Sequence, residues 1–147
     1  MKITKANLNN KKVVKIIVGL IHEVFCEFNL KDSKDGLIKK MNSQYGKWYD
    51  YNATLSIFQK SPLFFIAKDR DTIIWMIRGT SEKILNLYVL KKRHLQWIGS
   101  KLLSTFESAA KKLWSKSLVL KASKYAVPFY LTNGYTIKND RILTKQL

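Results

Sequence analysis

Acidic side chains are scarce in these 147 residues: 10 Asp and Glu stand against 27 Lys and Arg, a formal charge of +17. That balance favours polyanionic company, such as nucleic acid, an anionic membrane face or a phosphorylated cofactor. Cysteine is scarcer still, and a lone Cys26 excludes an internal disulfide framework and fits a reducing compartment. No uncharged apolar run reaches the roughly 18 residues of a membrane span. The apolar stretch Val13–Ile21 is broken by Lys15 and no small-residue cleavage site follows it. No signal peptide and a cytoplasmic location are therefore expected. Long like-charge blocks are missing too, since the densest clusters are Lys11–Lys12, Lys39–Lys40, Lys91–Arg93 and Lys111–Lys112. With no zinc-finger, helix-turn-helix or aromatic RNA-binding signature, the lysines read as a solvated surface and nucleic acid is not the expected partner.

What is present suits one α/β domain over residues 1–147. Hydrophobic residues make up 46% of the chain, enough for a core without disulfide or metal staples. Lys2–Lys5 reads as a first strand. Val13, Ile16, Ile17, Leu20, Ile21, Val24 and Phe28 recur at helical spacing and predict about five turns of amphipathic helix. Asp32 or Ser33 is expected to cap a second helix ending near Met41, and Gly46–Asn52 reads as an aromatic loop. Leu63–Ala67 and Thr72–Ile77, joined by Asp69-Arg70-Asp71, predict an antiparallel hairpin. Ile84–Leu90 is a third strand of this group. A helix carrying Ile98, Leu102, Phe106, Ala109 and Leu113 on one face follows. Leu118–Ala122 is a strand and Ser123–Leu131 a short helix stopped at Gly134. Tyr135–Ile137 and Arg141–Leu143 close the chain. A central mixed sheet flanked by helices is the expected architecture.

The segment Leu87–Leu103 carries the most chemical information. A strand there runs into a helix whose first turn offers unpaired backbone N–H groups to a pyrophosphate, beside Lys91, Lys92 and Arg93. Leu87-Tyr88-Val89, a gap, then Ile98-Gly99-Ser100-Lys101-Leu102-Leu103 resembles the acyl-CoA-binding motif of GNAT-type N-acetyltransferases. Leu120-Lys121-Ala122-Ser123, Ala126-Val127-Pro128-Phe129-Tyr130 and Gly134-Tyr135 resemble that family's next motif. The likeness continues upstream through Ile73–Gly79 and more loosely to the N-terminal helices.

The resemblance implies a GNAT-like fold and acetyl transfer from acetyl-CoA, without a metal, to a primary amine on a small molecule or peptide. It implies that the backbone of Tyr88 and Val89 polarises the thioester carbonyl. His94, Leu95, Gln96, Trp97, Ile98, Gly99 and Ser100 would wrap the pyrophosphate, with Ser123 and Phe129 also near the cofactor. Tyr130 matches the tyrosine that protonates the departing thiolate. Dimers are common among such proteins.

Three features depart from the pattern. Trp97 stands where the loop has its first glycine, and Trp75 and Trp114 also occupy positions that are commonly glycine. Two origins account for them: UGA codons assigned to glycine but written as tryptophan, or divergence with compensating packing. Asn86 lies near a position often held by glutamate, which leaves Glu82 as a candidate base through water and Asp71 as a weaker one. Two other functions therefore compete with catalysis, an acyl-CoA-binding or regulatory module with weakened turnover and, less favoured, a basic nucleic-acid-binding domain. His22 and Cys26, four apart on one helix, supply too few ligands for zinc and lack a third group for nucleophilic catalysis; Cys26 is expected to be buried. Trp48, Tyr49, Tyr51 and Phe58 are candidates to line an acceptor pocket or to cover a sheet edge.

Overall fold

Helix α1 (Lys11–Val24) forms because Val14, Ile17, Val18 and Ile21 present one apolar face to the core. Asn10 caps it, its Oδ1 accepting from the N–H groups of Lys12 at 3.0 Å and Val13 at 3.3 Å. In this computed structural model, which describes residues 1–90 and 96–147 (only the backbone of Gln96), α1 passes into a π-helical turn over Phe25–Asn29. Phe25 is buried in the core there, while Phe28 packs against that core and also reaches a cavity described below.

The next helix starts later than expected. The Ser33 hydroxyl donates to the Asn29 carbonyl at 2.6 Å instead of capping, and α2 runs Asp35–Tyr45. A third helix, α3 (Tyr51–Gln59), takes the last two residues of the expected loop and continues through a stretch where no element was expected. Asp50 starts it by accepting from the N–H of Ala53 at 2.9 Å, a cap masked in the sequence by the aromatic residues around it.

Strands β1 (Lys2–Lys5), β2 (Leu63–Asp69), β3 (Thr72–Gly79) and β4 (Ile84–Val89) form one antiparallel sheet in that order. Helix α4 (Gln96–Lys112) follows, then β5 (Ser117–Lys121), α5 (Val127–Thr132), β6 (Thr136–Asn139) and β7 (Ile142–Gln146). The last three strands make a second antiparallel sheet in the order β5-β7-β6. A parallel bridge between Lys83 and Val119 joins the sheets, and the Val119 N–H donates to the Glu82 carbonyl at 3.0 Å. The expected sheet is thus mixed, but only through this one contact.

Both faces of the first sheet are covered, which is why β2 and β3 read as nearly continuous apolar runs. Leu63, Phe65 and Ile77 face α4, where they pack with Leu102 and Phe106. Phe64, Ile66 and Met76 face α1–α3, where they pack with Ile17, Ile21 and Phe58. Phe58 belongs to that core, and Tyr49 and Tyr51 pack against it, whereas Trp48 is exposed.

Candidate active site

Beyond the Lys83–Val119 bridge, no strand pairs with β4 on the β5 side among the described residues. The Leu90 N–H donates to the Ile74 carbonyl at 3.1 Å. Backbone groups alternate sides along an antiparallel strand, so Val89 and Leu87 turn their N–H and C=O groups toward the open edge. A cavity of about 530 Å³ occupies this opening. Leu87, Tyr88 and Val89 form its β4 wall, and Ser123, Tyr125 and Ala126 of the β5–α5 connection form part of the other. Pro128, Phe129 and Tyr130 of α5 extend that second wall, while Val24, Phe28 and Asn29 close the side toward α1.

Tyr130 is buried, held by edge-on contacts to Phe129 at 5.2 Å and Tyr135 at 5.5 Å between ring centroids. Burial pushes its phenol well above the usual value, and the Tyr88 phenol adds to the shift. Tyr88 is pushed up to about 12, by burial and then by Tyr45, while Arg78 and the Asn86 side chain pull it back. Both phenols are therefore neutral at physiological pH and able to donate.

Behind Tyr88 lies a polar set. Asn86 Nδ2 donates to the Tyr88 hydroxyl at 3.4 Å, and Arg78 stands opposite Asn86 across the β3–β4 ladder. Arg78 is only 6% exposed; its Nη1 donates to Ser61 Oγ at 2.8 Å and its guanidinium lies over the Phe58 ring. Arg78 Nε and Asn86 Oδ1 are buried without a hydrogen-bond partner among the described residues. No carboxylate pairs with Arg78 among them.

Of the residues singled out in the sequence, Tyr88, Val89, Ser123, Phe129 and Tyr130 surround one cavity. Ile98 and Gly99 are buried in the first turn of α4, Ser100 is half-buried there, and Trp97 is 57% exposed. His94, Leu95 and the Gln96 side chain lie outside the described residues. Glu82 is not brought to the cavity: it is exposed at the closed end of the opening, six residues before Tyr88, or about 20 Å of extended chain. Asp71 is exposed in the β2–β3 turn. Cys26 is exposed, correcting its expected burial, with Sγ 3.7 Å from His22 Nε2 and 4.0 Å from Nδ1. Near-equal distances to both ring nitrogens put the sulfur over the ring, not in line with a lone pair, so the pair is no nucleophile–base arrangement. Among the described residues no group of three metal-ligating side chains occurs.

Phe28, Tyr125 and the Tyr88 side chain escaped the sequence reading. Phe28 fell within the helical stripe and Tyr125 within a short helix, and only the fold sets them across from each other. Their rings stack with centroids 5.0 Å apart and planes 26° off parallel.

An α/β architecture in which one strand edge opens onto a cavity is joined by a match in sequence. A family model described as "Acetyltransferase (GNAT) domain" matches residues 32–146. The chain belongs to the GNAT acetyltransferase family. No curated protein sequence matches it. Among solved structures, it is similar to the PaiA N-acetyltransferase of Thermoplasma acidophilum in complex with coenzyme A, with TM-score 0.77 and 21% identity over 99% of this chain and 98% of that one. A GCN5-related N-acetyltransferase from Rhodopseudomonas palustris gives 0.73 and 18%, over 99% and 95%. The putative acetyltransferase yncA from Salmonella typhimurium, with acetyl-CoA, gives 0.74 and 12%, over 100% and 94%. Among the described residues no helix is long and apolar enough to cross a membrane.

Proposed function

We propose that this chain moves an acetyl group from acetyl-CoA to a primary amine by direct attack. The observation that carries the reading is the convergence of an open β4 edge and the buried Tyr130 phenol on one cavity. The cavity fits a slender thioester arm: β4 offers it unpaired backbone groups, as an added strand would require. Acetyl-CoA supplies an acyl group on a good leaving thiolate. The outward N–H of Val89 is aimed to stabilise negative charge growing on the acyl oxygen. As the amine nitrogen bonds to the acyl carbon, the carbon–sulfur bond breaks and Tyr130 gives its proton to sulfur. A phenol with a raised pKa is a weak acid, so that transfer is uphill unless the nitrogen's surplus proton returns to the phenolate, directly or through water. The balance is amine plus acetyl-CoA to amide plus free thiol.

A non-catalytic acyl-CoA-binding module is the second reading, favoured by Trp97, whose indole is exposed in the first turn of α4. Calorimetric titration of acetyl-CoA into the parent and Trp97→Gly proteins, followed by thiol release with an amine set, separates the two. Binding with thiol release supports the enzyme, and binding without release supports the module. No binding by either protein removes both.

A further inference from the structure

The cavity has a composition that the basic surface does not foretell. Among the described residues its lining contains no charged side chain, although 37 of the chain's 147 residues, 27 basic plus 10 acidic, are ionisable Lys, Arg, Asp or Glu. Phe28, Tyr125 and Tyr88 supply aromatic rings to its lining, and Asn29 supplies one neutral amide. Behind the Tyr88 part of this wall stands a cation, the buried Arg78, which holds the Tyr88 pKa down. Glu27, adjacent to Phe28 in sequence, is exposed and does not line the cavity.

We infer that the acceptor is a primary amine carried on an apolar or aromatic body with no second positive charge, and that the Phe28–Tyr125 stack selects it. This rests on the acetyl-transfer reading above. A polycation would enter a site that offers no carboxylate, next to Arg78 and within a field of net charge +17. A singly charged amine instead gains aromatic contact, and its ammonium is attracted to the ring faces while it enters. Desolvation in an uncharged site then lowers the amine's pKa, so the nitrogen sheds its proton to water. Asn86, which cannot accept a proton, no longer leaves the reaction without a nucleophile. Phe28 lines the cavity four residues beyond Val24, which lines it too.

Thiol release from acetyl-CoA with 2-phenylethylamine, spermidine and kanamycin as acceptors tests the assignment. The expected result is a kcat/KM for 2-phenylethylamine at least ten-fold above either polycation. Phe28→Ala should cut it ten-fold or more through KM, leave acetyl-CoA affinity unchanged, and be largely rescued by Phe28→Tyr but not by Phe28→Leu. Faster turnover of spermidine or kanamycin would overturn the acceptor class and leave acetyl transfer standing. Release with none of the three, from a protein that binds acetyl-CoA, would remove the transfer reading and this inference with it. A Phe28→Ala protein as active as the parent would overturn the selecting role of the stack.

Discussion

The six-membered ring of Trp75 lies against the Cα of Gly99, so that a β-carbon at position 99 would overlap Trp75 Cζ3 and sit 2.7 Å from its Cη2. The same atom would stand 2.9 Å from Phe129 Cε2. Gly99 is therefore the point where β3, α4 and α5 meet closely enough to exclude a side chain. Gly99→Ala should lose about 1–3 kcal/mol of stability. Combining it with Trp75→Phe should recover part of the loss, because the smaller ring makes room and removes an indole N–H that has no partner among the described residues. Urea denaturation of the two single variants and the double variant measures the coupling.

Trp114 ends α4 in a left-handed conformation, φ +65°, with its N–H donating to the Lys111 carbonyl at 2.9 Å and the Ser115 N–H to Ala110 at 3.2 Å. This is the helix-ending geometry in which glycine is favoured. The indole is 92% exposed and contributes little burial. Trp114→Gly is expected to stabilise the protein by about 1 kcal/mol, the relief of left-handed backbone strain. Thermal melts decide the sign. Reading the gene decides the residue's origin, since UGA at codons 75, 97 and 114 would make glycine the encoded residue in a source that assigns it so.

Tyr130→Phe should lower kcat strongly, with acetyl-CoA affinity nearly unchanged, if the hydroxyl serves only the leaving sulfur. Its pKa lies above the ordinary phenol value because burial penalises the phenolate. The proton is thus in place throughout the neutral range, and no loss of rate from Tyr130 ionisation should occur below about pH 10. A pH–rate profile falling well below that pH would assign the loss to another group.

Burial likewise raises Tyr135, and the charge of Glu107 adds to the effect. Tyr88, Tyr130 and Tyr135 each bind their proton more tightly folded than unfolded. Their contribution to stability is complete below about pH 10 and is lost as pH rises through the folded values. Melting temperatures should stay level up to that pH and then fall, with tyrosinate absorbance appearing together with unfolding.

Lys145 Nζ lies 3.0 Å from both carboxylate oxygens of Glu107 and donates to the Asn133 carbonyl at 2.9 Å, tying α4 to β7. Both side chains are largely shielded, at 27% and 14% exposure. Glu107→Ala also strips the Tyr135 hydroxyl of its acceptor, which is 3.0 Å away. A loss of roughly 1–3 kcal/mol is expected in denaturant titrations, and the size of that loss should depend little on salt.

Local rules reached far into this fold. The hairpin of β2 and β3 was legible because two β-rich runs flank Asp69-Arg70-Asp71, and Arg70 does take the left-handed turn conformation at φ +54°. Helix α1 was legible because its stripe is long and Asn10 precedes it. Helix α3 was not, because Tyr51, Ile57 and Phe58 resemble any aromatic loop until Asp50 is seen as a cap. Glu82 illustrates the converse limit: its carboxyl type suited a base, but the bridge at Lys83 fixes it at the closed end of the opening.

The sequence by itself determined most of the elements and the motifs that mark the family, because periodicity, caps and turn residues act within a few residues. Only the tertiary structure decided the composition of the cavity. Val24, Phe28, Tyr88, Tyr125 and Tyr130 come from three separate stretches of chain, and their meeting depends on how far two sheets diverge past one backbone bridge. A lining without charge among the described residues, inside so basic a protein, follows from that divergence, which spacing along the chain does not encode.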